Sequence, residues 1–135
     1  MPKFKDEAMT KISNTFHKSE RLCSQILIKN LFAQGTVFTQ YPFKIISQST
    51  DCNTASPIQL IITVSKRNFK KAVDRNRIKR LIREAYRKNK IALYTALKTK
   101  KCLLAIIYTS KQELTYQEIE LKIILTLQRL IKQYE

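Results

Sequence analysis

The sequence predicts a two-layer α+β sandwich, and three observations predict it. The runs 36–47, 58–66 and 102–109 are apolar and rich in β-branched and aromatic residues, as strands are. Three other segments carry apolar residues at helical spacing. The two kinds alternate as helix, strands, helix, strand, helix along 135 residues, which is one domain by length. Helices and a sheet with one apolar face each bury those faces by packing on one another.

Each element has its own signal. Residues 1–18 are polar, mixed in charge and without periodicity, and read as a flexible arm ahead of a domain spanning 19–135. A helix is expected from Ser19, with Leu22, Ile26, Leu27, Leu31 and Phe32 on one side. Gly35, the only glycine in the chain, is expected to stop that helix in a left-handed conformation. "TVFTQYPFKIIS" (36–47) reads as strand, with Pro42 marking an edge or a bulge. A polar connection, 48–57, leads to "IQLIITVSK" (58–66), apolar enough to be a central strand. "CLLAIIYT" (102–109) is a further buried strand. The segment 114–134 closes the chain as a long amphipathic helix with a capping box at Thr115 and Glu118. Its apolar stripe is Ile119, Ile123, Leu127, Leu130 and Ile131.

Charge narrows the function. The chain carries 26 Lys or Arg against 10 Asp or Glu, a net +16. Between Lys66 and Lys101 there are fifteen basic residues and only two acidic ones, Asp74 and Glu84. A surplus concentrated in one segment opposes the compact state by self-repulsion and points to a polyanionic partner, nucleic acid first. Cys23, Cys52 and Cys102 form no CxxC pair, and one histidine, His17, completes no zinc pattern. Reduced, structural thiols in a cytoplasmic protein are expected. No segment has the length and hydropathy of a signal peptide or a membrane span.

The basic segment has a two-sided pattern. In "DRNRIKRLIREAYRKNK" (74–90), at about 100° per residue, Asn76, Lys79, Arg80, Arg83 and Arg87 share one arc. Ile78, Leu81, Ile82 and Ala85 lie opposite. Such a helix buries one stripe and holds a row of cations away from it. Asp74 is a candidate N-cap, unless the helix begins at Ala72. Glu84, the helix's only other carboxylate, can pair with Arg80 or Lys88. An ordinary solvated helix would place more glutamates among the cations. The preference for arginine suits bidentate phosphate recognition and stacking on bases.

The segment "SKRNFKKAVDRNRIKRLIREAYR" resembles the signature of the bacterial ribonuclease P protein subunit, the run A-V-x-R-N-R-x-K-R-x-x-R-E. Here it stands as Ala72, Val73, Arg75, Asn76, Arg77, Lys79, Arg80, Arg83 and Glu84. Arg21-Leu22, Leu31-Phe32, Gly35, "ITVSK" and Leu114-Thr115-Tyr116 extend the resemblance over roughly residues 19–134. It implies an α-β sandwich of order αβββαβα, ribosomal protein S5 domain 2-like, with a left-handed βαβ crossover where right-handed ones are the rule.

The resemblance also implies a division of labour. The protein joins a catalytic RNA that removes the 5′ leader of precursor tRNA, and the chemistry belongs to that RNA and its Mg²⁺. No catalytic residue, no tightly bound cofactor and no obligate protein partner are expected of the polypeptide, whose carboxylates are scattered and whose His17 stands alone. Arg75, Arg77 and Arg80 would neutralise phosphates of the RNA subunit or of the leader near the scissile bond. Asn76, Lys79 and Arg83 would meet the leader, Arg87 would continue the row, and Lys66 and Arg67 would extend the cationic surface. A leader groove between the first helix and a sheet face would be lined by Ile28, Phe32, Phe43 and Ile46. Ile28 and Ile46 replace aromatic residues common in the family, which weakens base stacking there. The loop "RNFKK" lacks the family's usual glycine. For Phe32 and Phe43, core packing is an equal reading.

Three rivals are weaker. A ribosomal-type RNA-binding protein without a processing role would not need the R-N-R run at this spacing. A helix-turn-helix DNA reader needs a helix, not "IQLIITVSK", before its recognition helix. A membrane-active helix needs an apolar face not already committed to the core.

Overall fold

The computed structural model describes residues 20–50, 57–97 and 100–134. The proposed arm, with His17 and the expected Ser19 cap, lies outside the described residues, as does Cys52. The first helix is shorter than its apolar pattern suggested: α1 is Gln25–Gln34, and Ser24 is its N-cap, its hydroxyl accepting from the Leu27 N–H at 3.4 Å. Residues 20–24 instead form an extended strap. Four strands follow, β1 (Thr36–Gln40), β2 (Phe43–Thr50), β3 (Ile58–Val64) and β4 (Lys101–Tyr108). Between β3 and β4 lie α2 (Ala72–Asn89) and a short α3 (Ile91–Leu97), and α4 (Tyr116–Tyr134) ends the chain. The run 36–47 is therefore not one strand but the start of an antiparallel hairpin that turns at Tyr41-Pro42. Helix α3 had no separate signal, because its seven residues continue the basic helix after a break at Lys90.

The sheet order is β1-β2-β4-β3, with β2 antiparallel and β3 parallel to β4. The central strands are β2 and β4, while β3 lies at the edge, contrary to the expectation from its apolar run. The burial patterns explain why. Five consecutive residues of β4, Cys102–Ile106, are buried, whereas in β3 Ile58, Leu60 and Val64 are buried and the other four residues are half-buried. At its outer edge Arg21 forms a parallel bridge with Leu60, and the Leu22 N–H donates to the Leu60 carbonyl at 2.9 Å.

The larger core lies between one sheet face and α2, α3 and α4, and includes Phe43, Ile45, Leu104, Ile106, Ile78, Ile82, Ile119 and Ile123. A smaller cluster of Leu22, Leu31, Ile46, Leu103 and Ala105 lies under α1 on the other face. Among the described residues, three helices pack on one face and the ten-residue α1 packs on the other. At the start of α4 the capping box forms as expected. The Thr115 N–H donates to Glu118 Oε1 at 3.0 Å and the Glu118 N–H donates to Thr115 Oγ1 at 3.3 Å. The Thr115 N–H bond first, and then the Thr115 hydroxyl, which donates to the same oxygen at 3.1 Å, hold the Glu118 carboxyl below its usual range. At α2 the cap is different: Lys71 occupies the N-cap without a side-chain bond, and Asp74 sits in the first turn.

Gly35 ends α1 for a reason other than the expected one. Its φ is −70° and ψ 157°, an extended conformation open to any residue. A Cβ there would lie 2.5 Å from both Ile46 Cγ2 and the Leu31 carbonyl oxygen. Glycine is required because α1 closes directly onto β2. Where only backbone entropy counts, Gly→Ala at a compatible φ stabilises by about 0.4–1 kcal/mol. Gly35→Ala is expected to destabilise instead, by about 1–3 kcal/mol from overpacking. The sign of the shift in urea midpoint decides between the two.

Candidate nucleic-acid interface

Helix α2 packs as its pattern requires. Ile78, Ile82, Ala85 and Tyr86 are buried, Leu81 is half-buried, and the cationic arc faces away from the core. The structure then divides the cations by what holds them. Arg75 donates to the carbonyls of Phe69 at 2.8 Å and Lys70 at 2.9 Å, so it fastens the glycine-free loop ahead of α2. Arg77 pairs with Glu113 at 2.7 Å and, more loosely, with Asp74 at 3.5 Å. Arg87 makes a two-point contact with Glu84, 3.0 Å through Nε and 2.5 Å through its terminal nitrogen. Arg87's hydrogen bond is the main influence holding the Glu84 carboxyl below its usual range. Glu84 therefore pairs with Arg87, and with Lys88 at 4.0 Å, not with Arg80.

What remains is a narrower set of candidates. Asn76 and Arg80 are exposed on α2, and Lys66 and Arg67 are exposed in the turn that leaves β3. Lys79 and Arg83 lean toward the β3 edge, where with Arg21 they line a pocket of about 200 Å³. Burial, and secondarily the charge of Arg21, push the Arg83 guanidinium's pKa downward. Arg21 is a functional candidate that the basic cluster alone could not reveal, since it is fifty-eight residues from Lys79 in the chain and reaches it only through the strap.

The second candidate surface is the half-covered sheet face beside α1. Phe32 projects from α1 with 46% of its surface exposed, and Ile28 is half-buried. Ile46 is only 4% exposed, because the end of α1 sits on it. Phe43 does not belong to this groove. Side chains alternate along a strand, so Phe43 and Ile45 face the larger core while Lys44 and Ile46 face α1. Phe43 is fully buried, its ring 6.1 Å from that of Tyr108, and no base can stack on it. The residues that flank Ile46 on the open face are Val37, paired with it across β1–β2, and Lys44, paired with Ile107 across β2–β4. Val37 and Lys44 are exposed and Ile107 is half-buried.

The strap joins the two surfaces. Glu20 is buried and takes hydrogen bonds from Lys90 Nζ and, at 3.1 Å, from the Tyr94 hydroxyl, while the Tyr86 hydroxyl donates to that of Tyr94 at 3.2 Å. This network fixes the strap to the junction of α2 and α3. Burial is the main cause that pushes both tyrosine hydroxyls' pKa values up, so they remain neutral donors. Among the described residues no group of three His, Cys, Asp or Glu is placed to hold a metal ion. Cys23 and Cys102 are free thiols, the first exposed and the second buried. No helix among the described residues is long and apolar enough to cross a membrane.

Comparison with known proteins agrees with this geometry. The chain is similar to the "Ribonuclease P protein component" of Porphyromonas gingivalis, 36% identical over 91 residues, which covers 67% of this chain and 66% of that protein. The protein of the same name from Chlorobium phaeobacteroides is 42% identical over 85 residues, 61% of this chain and 58% of that one. The matches thus span somewhat less than two thirds of these relatives' length. In fold the chain is similar to the RNase P protein from Thermotoga maritima, with a TM-score of 0.63 and 23% identity over 82% of this chain and 96% of that one. It is likewise similar to the RNase P protein of Staphylococcus aureus, with a TM-score of 0.60 and 24% identity over 84% and 99%. The family model described as Ribonuclease P matches residues 16–131, from before the strap to near the end of α4, and the chain belongs to that family.

Proposed function

We propose that this chain is the protein subunit of a ribonuclease P ribonucleoprotein. It binds the catalytic RNA and the 5′ leader of precursor tRNA, and so assists Mg²⁺-dependent hydrolysis that leaves a mature tRNA 5′ end. The observation that carries the reading is the run from Arg75 to Glu84 on α2, where Asn76 and Arg80 are exposed and Lys79 and Arg83 are half-buried beside them, while Arg75 and Arg77 bond within the protein and Arg87, one turn on, pairs with Glu84. The face beside α1 exposes Phe32, Val37 and Lys44, which suits an extended single strand: an aromatic ring for a base and an ammonium for a phosphate. The Mg²⁺ ions would be held by the RNA. We place the particle in the cytoplasm.

The test is cleavage of a precursor tRNA with a leader of several nucleotides, at low Mg²⁺, by a bacterial ribonuclease P RNA with and without this protein. The protein is expected to restore 5′ processing, and an Arg80→Ala, Arg83→Ala double variant is expected not to. A wild-type protein that binds RNA but never aids cleavage would remove the ribonuclease P role and leave a ribosomal-type RNA-binding protein.

A further inference from the structure

Helix α4 carries a second stripe besides the one that packs on the core. Gln117, Leu121, Ile124, Gln128 and Ile131 recur at alternating steps of three and four, the spacing by which one helix forms a seam with another. Leu121 is 57% exposed, Ile124 and Leu125 are half-buried, and none of the three belongs to either core cluster. On the same stripe lies a cavity of about 160 Å³ lined by Asn89, Ala92, Ile124, Leu127, Gln128 and Ile131. Ala92 belongs to α3, which carries no charged residue. The surface thus offers an apolar knob, Leu121, and an apolar hole about two turns further along the same helix.

We propose that this stripe of α4 joins two copies of the chain in a reversible dimer, packed antiparallel about a two-fold axis. Single exposed leucines are common. A knob and a hole on one helix are different, because a two-fold axis lets each copy fill the other's hole. With the axis at the level of Thr126, Leu121 lies opposite Ile131 of the second copy, beside its cavity, and Ile124 lies opposite Gln128.

Charge favours a second copy as the occupant. In a chain of net +16, α4 holds two carboxylates and three cations, so it is nearly neutral and has little to hold a polyanion. Glu120 already accepts from Asn89 and Tyr116. Arg129 donates to the Thr39 carbonyl and lies over the Phe38 ring. Lys122 is half-buried on the flank of the stripe. Of the other two charges, Glu118 near one end gives Oε1 to the capping box, and Lys132 near the other end is exposed. The register that sets Leu121 against Ile131 also sets Glu118 beside Lys132 of the second copy, twice in each dimer. A parallel pairing would set like charges together. The seam uses neither the cationic arc of α2 nor the face beside α1, and it does not depend on the RNA-binding reading.

Sedimentation velocity of the full chain, freed of nucleic acid, tests the proposal over a concentration series. Salt of roughly 0.15 M screens charges more than about 8 Å apart. The sedimentation coefficient is expected to rise with concentration toward that of a dimer and no further, since a two-fold contact closes on itself. Leu121→Lys is expected to raise the dissociation constant by about 100-fold or more, because each copy loses a buried leucine. Lys132→Glu is expected to raise it by roughly fivefold to tenfold, as two attractive pairs become repulsive. Ile26→Lys, at a site on α1 that is 73% exposed, is the control and should leave association unchanged. Association that survives Leu121→Lys places the contact elsewhere and overturns the proposal. A Lys132→Glu dimer as tight as the wild type overturns the antiparallel register. A monomer at every concentration overturns the dimer itself and leaves the groove to residues 1–19 of the same chain or to a different protein.

Discussion

Glu20→Leu is expected to destabilise the protein by about 3–5 kcal/mol, the cost of leaving one member of a buried ion pair without its partner. Lys90 is 1% exposed and Glu20 3% exposed, and the two are in direct contact. Lys90 sits at the junction between α2 and α3, with its ammonium 5.2 Å from the centre of the Tyr94 ring, and cannot reach water without unwinding that junction. Removing Glu20 therefore strands a cation in the core. The reciprocal change, Lys90→Met, is expected to cost less, toward the lower end of that range. Glu20 lies on a strap held at the β3 edge by few backbone bonds, so an unpaired carboxylate can lift out and rehydrate.

The double variant Glu20→Leu, Lys90→Met replaces the pair by apolar groups and is expected to recover most of the loss, because a buried pair gains little net stability over a well-packed apolar substitute. Guanidinium chloride unfolding of the three variants and the wild type gives the cycle directly. Single-variant losses below about 1 kcal/mol, the range of exposed pairs, would mean that the strap is not docked in solution.

The second large effect is on RNA affinity. The triple variant Lys79→Ala, Arg80→Ala, Arg83→Ala is expected to lower the slope of log K against log salt by about two units, from about 0.7 per phosphate contact on a single strand. Affinity near physiological salt should fall by on the order of 100-fold or more, since each charged hydrogen bond contributes roughly 1.5–3 kcal/mol before non-additivity. Arg87→Ala is the control. Its guanidinium is already committed to Glu84, so its removal should change the slope much less. Arg80 is the exposed site of the three, and Arg80→Ala alone should change fold stability by no more than about ±0.5 kcal/mol. Filter binding or fluorescence anisotropy across a salt series reads the slopes. Equal slopes for the triple variant and the wild type would place the RNA elsewhere on the surface.

These expectations show which features local sequence can carry. The amphipathic pattern of α2 depends on 3.6-residue periodicity, and it placed Ile78, Ile82 and Ala85 in the core and the cations outside. The capping box of α4 depends on residues three apart and formed as read. Gly35 was recognised as a helix end, but its reason lay in Ile46, eleven residues away, and not in its own backbone angle. Phe43 and Phe32 could not be told apart by composition, because the face a strand residue takes depends on register with β4 and on where α1 lies.

By itself the sequence determined the elements whose information is local: the helices with their periodicity, the apolar strands, the α4 cap, the basic arc and, through the run at 72–84, the family. Only the tertiary structure decided the rest. It put β3 at the edge, assigned Arg75, Arg77 and Arg87 to internal partners, and buried Glu20 against Lys90. It also brought Arg21 to Lys79 and Arg83. The physical reason is one of range. Periodicity and capping act over a few residues of the same chain segment, whereas burial, ion pairing and a shared pocket depend on distances that exist only after the strap and helices have closed around the sheet.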